Sequence, residues 1–93
     1  MSRSPLRARG TYLSVQALAR LSGVTPHKVK RYEAEGLFIG TQVITVDGAE
    51  RLYHVSAVHL VRRIRSYEDV GVNFAGIEII LRLLQQSHRR GRR

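Results

Sequence analysis

Three cations crowd the first part of residues 26 to 37, which read PHKVKRYEAEGL. Lysine and arginine side chains donate hydrogen bonds to phosphate oxygens and to the O6 and N7 atoms of guanine. Lys28 and Arg31 therefore suit base edges, and Lys30 suits a phosphate. A helix dipole disfavours positive charge near its N-terminus, so an anionic partner would explain this placement. The alternative is a solvated helix face, which is what basic residues usually form.

The elements around these cations predict two short helices. Ser14 is a plausible N-cap for a helix in SVQALARLSG, and Gly23 is a candidate C-cap. Thr25 and Pro26 suit the N-cap and first position of a second helix. Two short helices joined by a turn of about four residues match a helix-turn-helix. Such motifs read bases from the start of the second helix. The predicted base contacts are Thr25, His27, Lys28 and Arg31.

The segment TQVITVDGAERLYHV, residues 41 to 55, predicts a β-hairpin. Its β-branched residues favour strands, and Asp47-Gly48 is typical of a two-residue type I′ turn. By position and size the hairpin is the wing of a winged helix. Arg51 is predicted to contact a phosphate. Tyr53 either contacts the backbone of DNA or fills the gap beneath the wing.

Two further helices are predicted after the hairpin. One covers SAVHLVRRIRSYEDVG, and Asn73 caps the next, FAGIEIILRLLQQ, whose main apolar stripe faces the core. Val72, Ile79 and Leu83 fall on a second apolar side. We expect this side to form a homodimer interface, although it could instead pack beneath the wing or arm of its own chain. It would also suit a different protein partner.

Charge is concentrated at the two ends of the 93-residue chain, whose formal net charge is +9. The ends hold seven of the sixteen basic residues, whereas residues 10 to 87 contain nine basic and seven acidic residues. Composition predicts a flexible basic arm at 1–11, one domain at 12–86 and a basic tail at 87–93. Arginine-rich ends either follow DNA or serve as disordered solubilising segments.

Several function classes find no support. The chain has no cysteine, and its histidines (His27, His54, His59 and His88) lack the spacing of a metal site. No acid stands beside an evident base–nucleophile pair, so we expect neither an enzyme nor a bound cofactor. No early apolar run resembles a signal peptide, and no stretch is long enough to span a membrane. A cytoplasmic protein is expected.

The order of elements, with KRYEAEGL, the hairpin ending ERLY and the segment GVNFAGI, resembles the DNA-binding domain of the MerR family of bacterial transcription regulators. GVNFAGI is most similar to its heat-shock repressor branch, HspR. The resemblance implies a mainly α, winged helix-turn-helix fold with a small β-hairpin. It places Lys30 where the family has a phosphate-binding arginine, and Arg31 where an aromatic residue is usual. In the wing Arg51 and Tyr53 match the family, and Glu50 departs from it.

These observations predict a sequence-specific regulator that binds double-stranded DNA as a homodimer in the bacterial nucleoid. A two-fold dimer would read a palindrome with two recognition helices. Two alternatives stay open: a chaperone-modulator adaptor similar to the CbpM family, which binds protein, and an excisionase-like accessory DNA-binding protein. The predicted DNA-contacting residues are Ser14, Thr25, His27, Lys28, Lys30, Arg31, Tyr32, Arg51 and Tyr53.

Overall fold

The computed structural model describes residues 11–91, with side chains up to residue 87. Four helices and a three-stranded antiparallel sheet of order β1-β3-β2 make up this region. The fold is the predicted winged helix-turn-helix. The elements in chain order are β1 (Tyr12–Leu13), α1 (Val15–Ser22), α2 (Pro26–Ala34), β2 (Val43–Val46), β3 (Glu50–His54), α3 (Ala57–Asp69) and α4 (Phe74–Gly91).

Local side-chain contacts define the ends of the first two helices. The Ser14 hydroxyl accepts a hydrogen bond from the Ala17 N–H at 3.1 Å, and the Thr25 hydroxyl accepts one from the Lys28 N–H at 3.1 Å. Gly23 ends α1 with a left-handed φ of 76°, which costs glycine nothing. The three predicted caps are confirmed, and the turn that separates the helices follows from them.

The wing is the hairpin of β2 and β3, and its turn has the predicted dipeptide at its centre. Asp47 and Gly48 have φ values of 53° and 74°, the positive values that a type I′ turn requires. The Ala49 N–H donates to the Val46 carbonyl at 3.1 Å and closes this turn. Strand pairing resumes one residue later, between Val46 and Glu50, so Ala49 stands between the turn and the strand.

A short strand that the sequence did not predict extends the sheet. In β1, Tyr12 pairs with His54 and Leu13 pairs with Tyr53. Two residues are too few to show an alternating pattern, so periodicity gives no signal here. The strand ties the start of the domain to the wing.

The hydrophobic core lies where α1, α2, α3 and the start of α4 meet the inner face of the sheet. Arg62 and Arg65 of α3 add polar contacts to this packing. They donate to the backbone carbonyls of Leu21 and Gly23, both at 2.9 Å, and so satisfy the C-terminal end of α1. The largest fully buried side chains are Tyr32, Tyr53, Leu18, Leu37, Ile64, Ile77, Val29 and Val61.

Helix α4 begins at the predicted cap and continues beyond the core. The Asn73 side-chain oxygen accepts from the Gly76 N–H at 2.8 Å. Leu81 is the last buried residue among those whose side chains are described, and the helix runs on to Gly91. Residues 87–91, predicted as part of a tail, are thus helical, because no glycine or proline interrupts residues 77–90. Among the described residues, no helix is long and apolar enough to cross a membrane.

Candidate nucleic-acid interface

Helix α2 presents one basic face to solvent. Val29 and Tyr32 are its buried residues. Successive residues of a helix are rotated by about 100°, which places His27, Lys30 and Arg31 on the side opposite that buried pair. All three are exposed. We call them the outer face of α2.

Most of the charge near the ends of α2 runs against the helix dipole. Arg31 lies in the last turn, where the dipole favours a cation, but Lys28 stands in the first turn and Glu33 and Glu35 stand at the negative end. Each such placement disfavours the helix by about 0.3–1 kcal/mol at an exposed site. Helix stability therefore does not explain this order, whereas an external anion near the start of α2 would.

The wing is attached to one flank of α2 through Glu33. One oxygen of this carboxylate accepts from the Arg51 guanidinium, and the other accepts from the Tyr53 hydroxyl at 2.8 Å. Arg51 itself is half exposed, so its remaining N–H groups stay available to solvent. The carboxylate thus fixes a cation of the wing beside α2.

Burial and the same carboxylate change the ionisation of this flank. Burial of the phenol, together with its hydrogen bond to Glu33, raises the pKa of Tyr53 to about 12. The hydrogen bond to Glu33 and its negative charge raise the pKa of Arg51. Tyr53 therefore remains a neutral hydrogen-bond donor, and Arg51 remains a cation, at physiological pH.

The last turn of α3 supports the other flank of α2 through Glu68. Its carboxylate accepts from the Tyr32 hydroxyl at 2.7 Å and pairs with the Lys28 ammonium at 3.5 Å. Burial of the phenol, with a further contribution from that hydrogen bond, raises the pKa of Tyr32. Lys28 and Arg51 therefore lie on opposite flanks of α2, each beside a carboxylate.

An aromatic ring positions Arg31. The guanidinium lies 5.3 Å from the centroid of the Phe74 ring, within the range of a cation–π contact, and Phe74 packs edge-on against Tyr32. The Arg31 guanidinium also pairs with Glu35 at 3.5 Å. The Arg31 side chain therefore extends to the outer face of α2 while the Phe74 ring supports it. In the pattern that the sequence resembles, an aromatic residue is usual at this position.

A comparison with protein families decides the assignment. Residues 13–84 match the family described as MerR HTH family regulatory protein. The chain belongs to the MerR family. Its members are DNA-binding regulatory proteins, so α1 and α2 are the helix-turn-helix of a MerR-family domain and α2 is its second helix. No curated protein matches the chain at a significant level.

The structure separates the predicted contact residues of this MerR-family domain into two groups. Six lie at the surface of α2 or the wing: Thr25, His27, Lys28, Lys30, Arg31 and Arg51. Ser14, Tyr32 and Tyr53 are buried instead. The Ser14 oxygen caps α1, and both phenols donate to carboxylates, so these three residues hold the interface elements in place.

Three residues that position the proposed interface have no role that the sequence predicts. Glu33 and Glu68 have no partner that the sequence identifies, and Phe74 falls within the apolar segment of α4. A buried tyrosine usually needs a partner for its hydroxyl, which was the available signal. The partners lie 20 residues from Tyr53 and 36 residues from Tyr32, so spacing along the chain could not identify them.

The predicted dimer residues are also divided by the structure. Ile79 and Leu83 are about 60% exposed, but Val72 is half buried and packs against the core of its own chain. Two open depressions of about 300 and 370 Å³ lie beside α4 and share Ile39 and Gln85 as lining residues. We call Ile79, Leu83 and Leu84 the apolar face of α4.

Two further predictions concern metal sites and the basic ends. In the described part of the chain, no three histidine or acidic side chains come together as a metal site would require.

Residues 1–10 and 92–93 lie outside the described residues, as do the side chains of residues 88–91. Whether the arginine-rich ends contact DNA stays a prediction.

Proposed function

We propose that this MerR-family protein is a sequence-specific regulator of transcription that places α2 in the major groove of double-stranded DNA. The observation that carries the proposal is the basic surface of α2, which is formed by Lys30 and Arg31 on its outer face and by Lys28, whose place in the first turn opposes the helix dipole. Thr25, His27, Lys28 and Arg31 would meet base edges from the first turns of the helix. Its place of action would be the bacterial nucleoid.

Phosphate contacts would set the register of this complex. Lys30 lies on the outer face of α2 and has no ion-pair partner among the described residues. Arg51 extends from the wing on one flank, with donors left over after its bond to Glu33. Contacts on two adjoining elements fix the position of a protein on a duplex, while side chains in the groove select the sequence.

We also propose that the protein belongs to the heat-shock repressor, HspR-like, branch of the family. The supporting segment is GVNFAGI, residues 71–77, in which Asn73 caps α4. A Cβ at Gly76 would stand 3.0 Å from Val72 and 3.2 Å from Asn73, so a larger residue would crowd the cap. Gly76 and Asn73 of this motif thus have a physical reason to occur together.

The second half of α4 supports a homodimer. An 18-residue helix is about 27 Å long, and none of residues 82–87, which follow Leu81, is buried. A helical end gains little stability without packing, and Ile79 and Leu83 offer an exposed apolar surface for it. A second copy would supply the same surface and place two recognition helices about 34 Å apart, one turn of DNA.

A protein-binding adaptor is the second candidate function, favoured by that same apolar face. The two candidates differ in what they require of α2, because an adaptor that bound through α4 would not need the cations at its start. Selection of bound duplexes from a random pool separates them. We expect the wild type to enrich a palindromic sequence, and failure to enrich any sequence at moderate salt would contradict the regulator.

Alanine variants connect the selected sequence to α2. Arg31→Ala should weaken binding by about 1–3 kcal/mol and relax one base position of the selected sequence. Lys30→Ala should weaken selected and unselected duplexes alike. Arg63→Ala is the matched control, because Arg63 is exposed on α3 and lines a depression beside α4. If all three variants behave alike, α2 is not the reading element.

Sedimentation tests the dimer independently of DNA. Leu83→Glu should convert the protein to a monomer because it places a charge within the apolar face of α4. Ala75→Glu adds the same charge at an exposed position in the first turn of that helix and should leave the dimer intact. A wild-type protein that sediments as a monomer at all concentrations would end the dimer proposal.

A further inference from the structure

Cations at the proposed interface are already paired with carboxylates. Lys28 pairs with Glu68 from one flank of α2, and Arg51 pairs with Glu33 on the other. These acids stand where DNA phosphates would approach, and like charges repel. A protein selected only for tight binding to phosphates would gain by lacking them, so their presence requires another explanation.

Buried tyrosines hold these two carboxylates in place. Tyr53 donates to Glu33 at 2.8 Å and Tyr32 donates to Glu68 at 2.7 Å, and both tyrosine side chains are fully buried. The Glu33 and Glu68 side chains are 20% and 28% exposed, against 41% for Glu35, whose partner Arg31 is four residues away on the same helix. Glu33 and Glu68 are therefore held in place more firmly than Glu35.

We propose that Glu33 and Glu68 are positioning residues that restrain Arg51 and Lys28 and thereby limit binding to DNA of arbitrary sequence. The inference rests on the proposed function, since it assumes that α2 and the wing meet the duplex. The Lys28 ammonium has three N–H donors and the Arg51 guanidinium has five, so each cation can bond to its carboxylate and still donate to DNA in one fixed direction. Unrestrained, these long side chains would reach any nearby phosphate.

The restraint affects the two binding modes differently. Phosphate contacts supply essentially all of non-specific binding, whereas a specific complex also depends on correctly placed groups in the groove. Release of Lys28 or Arg51 should therefore strengthen binding to arbitrary duplexes and should not strengthen binding to the selected sequence to the same extent. The ratio between the two affinities, which measures specificity, should fall.

Charge-neutralising variants with a matched control test this inference. Glu33→Gln and Glu68→Gln remove the charge but keep an amide oxygen that accepts from the tyrosine. Glu78→Gln is the control, since Glu78 pairs with Arg82 on α4 at 3.0 Å and its loss raises the net charge equally. Circular dichroism would check that each variant folds. The two test variants alter opposite flanks of α2, so either one can test the restraint if the other does not fold.

The measurement is affinity for a duplex of arbitrary sequence and for the selected duplex, each over a range of salt concentrations. For the arbitrary duplex, Glu33→Gln and Glu68→Gln should bind about three- to tenfold more tightly than Glu78→Gln. Their log–log salt slope should steepen by about 0.9, which corresponds to one additional phosphate. Affinity for the selected duplex should rise by less than that.

Two results would overturn the inference. In one, the test variants match Glu78→Gln in affinity and slope. In the other, they gain equally on both duplexes, which would make the two acids simple repulsive charges. If selection enriches no sequence, the proposed function fails by itself. The arbitrary-duplex comparison still decides the restraint in that case, because a protein of net charge +9 binds DNA at low salt.

Discussion

The stability of the domain should fall steeply at alkaline pH because Tyr53 resists ionisation only while folded. Its pKa is about 12 in the folded protein, against the ordinary value of 10.0. Below pH 10 the phenol is neutral in both states and its stabilising contribution is fully present. Between pH 10 and 12 the unfolded chain loses the proton and the folded one keeps it, so stability is lost as the pH rises.

The size of this effect follows from the pKa difference. A difference of about two pKa units corresponds to a loss of about 2–3 kcal/mol in the free energy of unfolding by pH 12. Small domains have only about 5–15 kcal/mol in total. Burial raises the pKa of Tyr32 as well, so the decline for the whole protein should be steeper still.

Urea unfolding followed by circular dichroism at a series of pH values measures this decline. Tyr53→Phe should be less stable near neutral pH, since Glu33 loses a donor, but its stability should fall less between pH 10 and 12. Tyr12→Phe is the control, because that partly exposed phenol donates to the amide oxygen of Gln42 rather than to a carboxylate. Identical pH profiles for Tyr53→Phe and the wild type would refute the coupling between α2 and the wing.

Four other substitutions test the backbone and packing that position the proposed interface. Gly40→Ala and Gly48→Ala should each destabilise the protein by about 1–2 kcal/mol, because both glycines have positive φ and a Cβ at Gly40 meets only the flexible end of the Gln85 side chain, which can move; a much larger loss for Gly40→Ala in urea unfolding would contradict this. Ile77→Ala should cost about 2–5 kcal/mol, since Ile77 is fully buried, and a loss below 1 kcal/mol by the same assay would contradict its place in the core. Asn73→Ala should cost about 1 kcal/mol by removing the cap of α4, which thermal unfolding would detect.

Features that depend on neighbouring residues could be predicted from the sequence. The caps at Ser14, Thr25 and Asn73 were predictable because each hydroxyl or amide bonds to a backbone N–H three residues along the chain. Likewise, the left-handed residues Asp47 and Gly48 revealed the hairpin. Each of these signals lies within one turn of the structure that it specifies.

Features that depend on distant residues could not be predicted in the same way. The two-residue strand β1 forms only because β3 offers it a partner. The Glu33–Arg51 pair joins residues 18 positions apart, and Glu68 meets Tyr32 across 36 positions. The sequence thus indicated which cations would belong to the proposed interface, but not the carboxylates that pair with them.

The central claim is that α2 and the wing bind a DNA duplex. Its most direct test is to map changes in amide chemical shifts by NMR as the selected DNA is added. We predict that the largest changes fall in residues 25–31 at the start of α2 and 47–51 in the wing. Changes confined to the apolar face of α4, with α2 unaffected, would contradict the claim and favour a protein-binding adaptor.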